Sequence, residues 1–137
     1  MVVQLALIAQ TVSVDRFTNR VSIFNLIDTI DAPQFPIFIQ EMAFLSVLRR
    51  NVDEPSKSQA ELTVSVGEII VGKSLIQIDF QSGRSARQIA YLNGIPVPNA
   101  NNLKLQLVIA GHDPFVIEIP VSQSGPGSAA LPFQPSA

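Results

Sequence analysis

The chain has 137 residues, with nine basic and eleven acidic side chains and a net charge of −2. A hydrophobic share of 47% against 15% charged residues excludes an intrinsically disordered chain, and the small net charge argues against a nucleic-acid binder built on bulk electrostatics. There is no Cys, which removes disulfides, thiolate metal sites and Cys nucleophiles; the length fits one domain with enough apolar residues for a core.

Ile (15) and Val (14) together outnumber Leu (12), and this excess of β-branched residues points to strands, whose pleated surface suits their stiff χ1. The first strand reads from Val3 to Val14, with a change of phase near Ala9-Gln10 that predicts a bulge or bend. A polar turn, Asp15 to Arg20, leads to a returning strand over Val21 to Ile27. Two prolines in Asp31-Ala32-Pro33-Gln34-Phe35-Pro36 then break the chain.

Ile37 to Arg50 is ambiguous. At period two, Ile37, Ile39, Ala43, Leu45 and Val47 share a face, with Glu41 the exception. At period 3.6, Phe38, Met42, Leu45 and Leu48 form a helical stripe. The flanking Pro36 and the surrounding strands favour one long strand. Asn51 to Gln59 reads as a polar loop.

Beyond it the alternation is clean. Leu62, Val64 and Val66 form a strand, Gly67 to Lys73 a hairpin-like link, and Ile76, Ile78 and Phe80 the next strand. Ala86 to Leu92 follows, and Asn93-Gly94 is a tight-turn dipeptide. Ile95-Pro96-Val97-Pro98 must be an edge or connecting segment, because proline cannot donate into a ladder. Leu103 to Ile109 and Phe115 to Val121 close the series around a Gly111-His112-Asp113-Pro114 turn. About eight strands at spacings of roughly 8–12 residues predict an all-β fold, an antiparallel two-sheet β-sandwich of Ig-like or C2-like type, over residues 1–121.

Residues 122–137 change composition. Ser122 to Ala130 is a flexible linker rich in Ser and Gly, and it ends in Leu131-Pro132-Phe133. This stretch reads either as a disordered tail or as an interaction arm that docks on a neighbouring subunit.

Chemistry-bearing residues are sparse. The one histidine, His112, stands beside Asp113 in a turn, with no nucleophile motif to complete a triad. One His without Cys does not supply a zinc ligand set. Asp28, Asp31, His112 and Asp113 are the candidates for a loop-end site, which would take a sugar, an anion or calcium, although no DxDxDG-type calcium run occurs. Arg49-Arg50 and Arg84/Arg87 could form an anion-binding face, yet adjacent residues of a strand point to opposite sides. No cofactor is expected, and neither is a nucleic-acid or membrane partner. Val2 to Ala9 is shorter than the about 20 residues of a membrane span and carries no basic flank, the first cation being Arg16. The expectation is a soluble cytoplasmic protein.

Two stretches resemble a family of small uncharacterised bacterial β-sandwich proteins carried as a domain of unknown function. They are Val21-Ser22-Ile23-Phe24-Asn25-Leu26-Ile27-Asp28 with Phe35-Pro36, and Leu103-Lys104-Leu105 with Gly111 and Ile119-Pro120-Val121. The resemblance spans about residues 3–121, implies a sandwich fold and brings no catalytic residues; Asn99-Ala100-Asn101-Asn102 stands where such proteins often have a glycine before the penultimate strand. The expected function is non-enzymatic: protein–protein interaction or self-assembly, by edge-strand pairing or by the C-terminal arm.

Overall fold

The computed structural model describes residues 1–124, which form twelve strands and no helix. In chain order these are β1 (Val2–Val14), β2 (Val21–Leu26), β3 (Ile30–Ala32), β4 (Ile37–Ile39), β5 (Ala43–Arg49) and β6 (Lys57–Val66). There follow β7 (Ile69–Asp79), β8 (Ser85–Tyr91), β9 (Ile95–Val97), β10 (Leu103–Ile109), β11 (Phe115–Ile119) and β12 (Val121–Gln123). They make two four-stranded sheets, ordered β2-β1-β5-β8 and β11-β10-β6-β7, and two small sheets, β12-β3 and β4-β9. The expectation of about eight strands in two antiparallel sheets is thereby corrected to twelve strands in four sheets. One pair, β12 with β3, is parallel.

The alternation read from the sequence places the core. From the first large sheet, Ile8, Phe44, Leu48, Ala86 and Ala90 point inward; from the second come Leu62, Val64, Val66, Ile76, Ile78, Leu103, Leu105 and Leu107. All belong to one buried cluster. Each fully buried Leu or Ile contributes about 1.5–3 kcal/mol relative to exposure.

Strand β1 serves two partners. Val2 to Ala9 pair with β5, and Ala9 to Val14 pair with β2. The bend expected near Ala9-Gln10 is this change of partner; the register irregularity itself lies between Val3 and Leu5. Past the bend, the β1–β2 hairpin lies over the outer face of β5 and β8. Ala9, Val12, Ala43 and Leu45 are buried there in a second cluster, with Leu7, Val21 and Ile89 packed on it. Tyr91 stands in register with Ala43, which is in register with Ala9. These two small residues leave room for its ring to cross, and its hydroxyl donates to the Val12 carbonyl at 2.9 Å. Further along, Arg87 donates to Asn19 in the hairpin turn, to the side-chain oxygen at 3.1 Å and the carbonyl at 2.9 Å.

The turn itself is locally encoded. The Asp15 carboxylate accepts from the backbone N–H of Phe17 at 2.8 Å and of Thr18 at 3.2 Å, and Asn19 takes a left-handed φ of 58°. Asn tolerates that region because its short polar side chain can bond locally.

Other boundaries move for physical reasons. Ile37 to Arg50 is neither one long strand nor a helix: β4 and β5 belong to different sheets, separated by Gln40–Met42. Across that break the inward phase flips from Ile37 and Ile39 to Met42, Phe44 and Leu48. The link read over Gly67 to Lys73 shrinks to Gly67-Glu68, with Ile69 to Lys73 already in β7. Gly67 has φ of 59°, and a Cβ there would stand 3.1 Å from the Asn101 side chain, so only glycine fits without strain. Pro120, which has no N–H, splits the last strand into β11 and β12. Its carbonyl accepts from Ile30 at 2.9 Å, which starts the pairing of β12 with β3. Ser122 and Gln123, assigned with the tail from composition, therefore lie in a strand.

Candidate functional site

The four loop-end candidates do not converge. His112 and Asp113 occupy the β10–β11 turn, at the end of the core where Ile109 pairs with Ala60 and Lys57 with Asp79. Asp28 and Asp31 lie at the opposite end. Asp31 there is in register with Ser122 and accepts from its hydroxyl at 3.1 Å. Strands β6 and β10 run between the two pairs.

His112 instead meets Glu54, which comes from the β5–β6 loop. His112 Nε2 is 3.1 Å from one Glu54 carboxylate oxygen; the other receives the Met1 amino group and the Asn51 N–H, the latter at 2.9 Å. These donors hold the Glu54 carboxyl below its ordinary range, the amino group contributing most, then Asn51, against a smaller opposing effect of burial. Sequence reading placed Glu54 only within the polar loop Asn51 to Gln59. Nothing local could have paired residues so far apart in the chain. Among the described residues no group of three or more His, Cys, Asp or Glu could hold a metal ion. Among the described residues no helix is long and apolar enough to cross a membrane. Leu131, Pro132 and Phe133 lie outside the described residues.

The structure shows an apolar surface that was not singled out. On β2, Ile23, Phe24 and Leu26 are 41%, 49% and 56% exposed. One edge of β2 pairs with β1, and among the described residues no strand pairs with the other. The four edge strands of the two large sheets are β2, β8, β7 and β11. Three of them carry charges: Arg87 on β8, Lys73 and Asp79 on β7, Glu118 on β11. The sequence of β2, Val-Ser-Ile-Phe-Asn-Leu, has none and no proline. Charged side chains and prolines are the usual devices that stop edge strands from pairing. At its far end Asn25 takes φ of 56° and donates to Gln10 at 2.6 Å. That leaves Val21 to Phe24 as the regular part. A depression of about 470 Å³ adjoins this end, lined by Leu26, Ile27, Thr29 and Ile39 among others.

Fold and surface together define an all-β module built on two four-stranded sheets, with one large-sheet edge, β2, that carries neither charge nor proline. The chain belongs to the family of unknown function DUF6941, whose model matches residues 4–122. That span nearly coincides with the region carrying the resemblance. No curated protein and no solved structure matches the chain.

Proposed function

We propose that the protein is a non-enzymatic, soluble β-sandwich that acts in the cytoplasm through protein–protein contact, with the free edge of β2 as its contact element. The carrying observation is that β2 alone among the four large-sheet edges lacks charge while presenting Ile23, Phe24 and Leu26 to solvent. Its outward N–H and C=O groups are a template for another strand, and its apolar side chains gain from being covered. The simplest partner is a second copy. Antiparallel pairing of β2 with β2 about a two-fold axis would join two four-stranded sheets into one and hide both edges.

Light scattering across a concentration series tests this. The mass should rise above the 14.8 kDa of the single chain toward a dimer. Ile23→Lys combined with Phe24→Lys should hold it at the single-chain value with an unchanged circular dichroism spectrum. A wild-type chain that stays monomeric at millimolar concentration would refute self-pairing.

A further inference from the structure

We propose that the outer face of the first large sheet, at the end where β5 finishes and β8 begins, binds an acidic segment of a partner protein. This surface is distinct from the β2 edge, and either can fail without the other. All six arginines of the chain cluster at this end: Arg16, Arg20, Arg49, Arg84 and Arg87 surround the face, while Arg50 turns to the core side over the Phe80 ring, and the three lysines, Lys57, Lys73 and Lys104, lie on the other large sheet. The gathering follows from contacts. Arg16 and Arg20 flank the hairpin turn whose Asn19 accepts two bonds from Arg87. Arg87 is in register with Val47, two residues before Arg49 on the same outward face. Arg49 is in register with Ser85, the neighbour of Arg84, and Arg84 Nε donates to the Arg50 carbonyl at 3.1 Å.

Three of these cations, Arg50, Arg84 and Arg87, are oriented by backbone carbonyls without being neutralised. Arg50 donates to the carbonyls of Gly83 and Glu54, both at 2.9 Å, and Arg87 to that of Asn19. Among the described residues no arginine lies within 4 Å of a carboxylate. The Asp15 carboxylate is turned to the backbone of its own turn. Holding guanidinium groups by backbone carbonyls removes much of the ordering cost of binding while leaving the charge free. Phe17, 91% exposed between Arg16 and Arg20, adds an apolar contact at the rim, and aromatic and Arg side chains are those enriched in protein interfaces.

The overall charge selects the kind of anion. At physiological salt a charge is felt over about 8 Å, so a short acidic segment meets mainly the arginines, with the nearby Asp15 and Glu54 carboxylates already taken up by their own partners. A nucleic acid or an anionic bilayer extends further and also meets the acidic remainder of a chain whose net charge is −2.

Fluorescence anisotropy with a labelled ten-glutamate peptide tests the proposal on the full chain. Binding should be measurable at low salt and weaken as salt rises. Arg20→Glu with Arg49→Glu should weaken it about ten-fold or more, as loss of charge-assisted contacts does. Neither side chain bonds to another of the described residues, so thermal melting should be unchanged. Lys73→Glu with Lys104→Glu changes net charge equally and should leave the affinity within about two-fold, because those lysines lie on the other large sheet and not beside the arginines. Three results would overturn the proposal: no binding, equal losses in both double variants, or tighter binding to phosphatidylglycerol vesicles or a single-stranded oligonucleotide than to the peptide.

Discussion

Ser46 offers a test of the core in which removing a polar atom should strengthen the fold. It sits in β5 on the inward face between Phe44 and Leu48, in register with Ala6 of β1 and Gln88 of β8. Its exposure is 0%, and among the described residues its hydroxyl has no hydrogen-bond partner. A buried hydroxyl that has left water without finding a partner costs about 1–3 kcal/mol. Ser46→Ala removes that cost. It opens a space of about one oxygen atom, on the order of 10 Å³, which at about 24 cal/mol per Å³ costs only about 0.2 kcal/mol. Ser and Ala suit strands comparably poorly, so propensity changes the balance by a few tenths of a kcal/mol at most. The variant should therefore be more stable by about 1 kcal/mol, seen as a higher urea midpoint at an unchanged m-value. The melting temperature should rise by about 3–5 °C for a chain of this size. A variant less stable than wild type by about 1 kcal/mol would show that the hydroxyl is bonded, and the account of this strand would fail.

Two further expectations concern the hairpin and the Glu54 cluster. Leu45, on the outer face of β5 but only 2% exposed under the β1–β2 hairpin, should cost roughly 2–4 kcal/mol when changed to Ala. Leu75→Ala on the outer face of the other sheet, where the side chain is 69% exposed, should stay within about 0.5 kcal/mol; equal effects in urea melts would mean the hairpin does not cover the sheet. Glu54 has a folded pKa lowered from 4.5, so its ionised form is favoured by folding. Its contribution is complete above the unfolded value and fades as pH falls through the lowered folded one. Stability measured from pH 7 downward should drop less steeply in Glu54→Gln than in wild type, and parallel curves would dismiss the cluster.

What could be read from the sequence, and what could not, divides by how local the cause is. Leu103, Leu105 and Leu107 announce their burial by alternation, since one face of β10 meets the core and the other meets water. β5 gives no such signal. Ala43, Phe44, Leu45, Ser46 and Leu48 are all buried because the hairpin covers the outward side, and a run apolar on both faces reads equally as helix or strand. β3 was hidden because Ile30 to Ala32 is held by the distant β12 and not by any pattern of its own. The candidate site divides in the same way. Asp28 and Asp31 are near in sequence to each other, as are His112 and Asp113, yet the pairs are parted by the length of the strands between them. The lack of charge in Val21–Leu26 was plain in the sequence, but only sheet order makes it an edge.

The bend in β1 is what links the buried and exposed features of the first sheet. Had β1 continued along β5 for its whole length, Leu45 and Ile89 would face water, and the Asp15–Arg20 turn would stand clear of β8. Because β1 leaves β5 at Ala9, β2 follows it, and the hairpin buries Leu45 while bringing Asn19 onto Arg87. The same movement makes β2 the edge of that sheet. Small residues permit it: Ala9 and Ala43 let Tyr91 cross to Val12, and a larger side chain at either position would block that crossing. The apolar edge and the contact of Asn19 with Arg87 thus share one structural cause, the departure of β1 from β5 at Ala9.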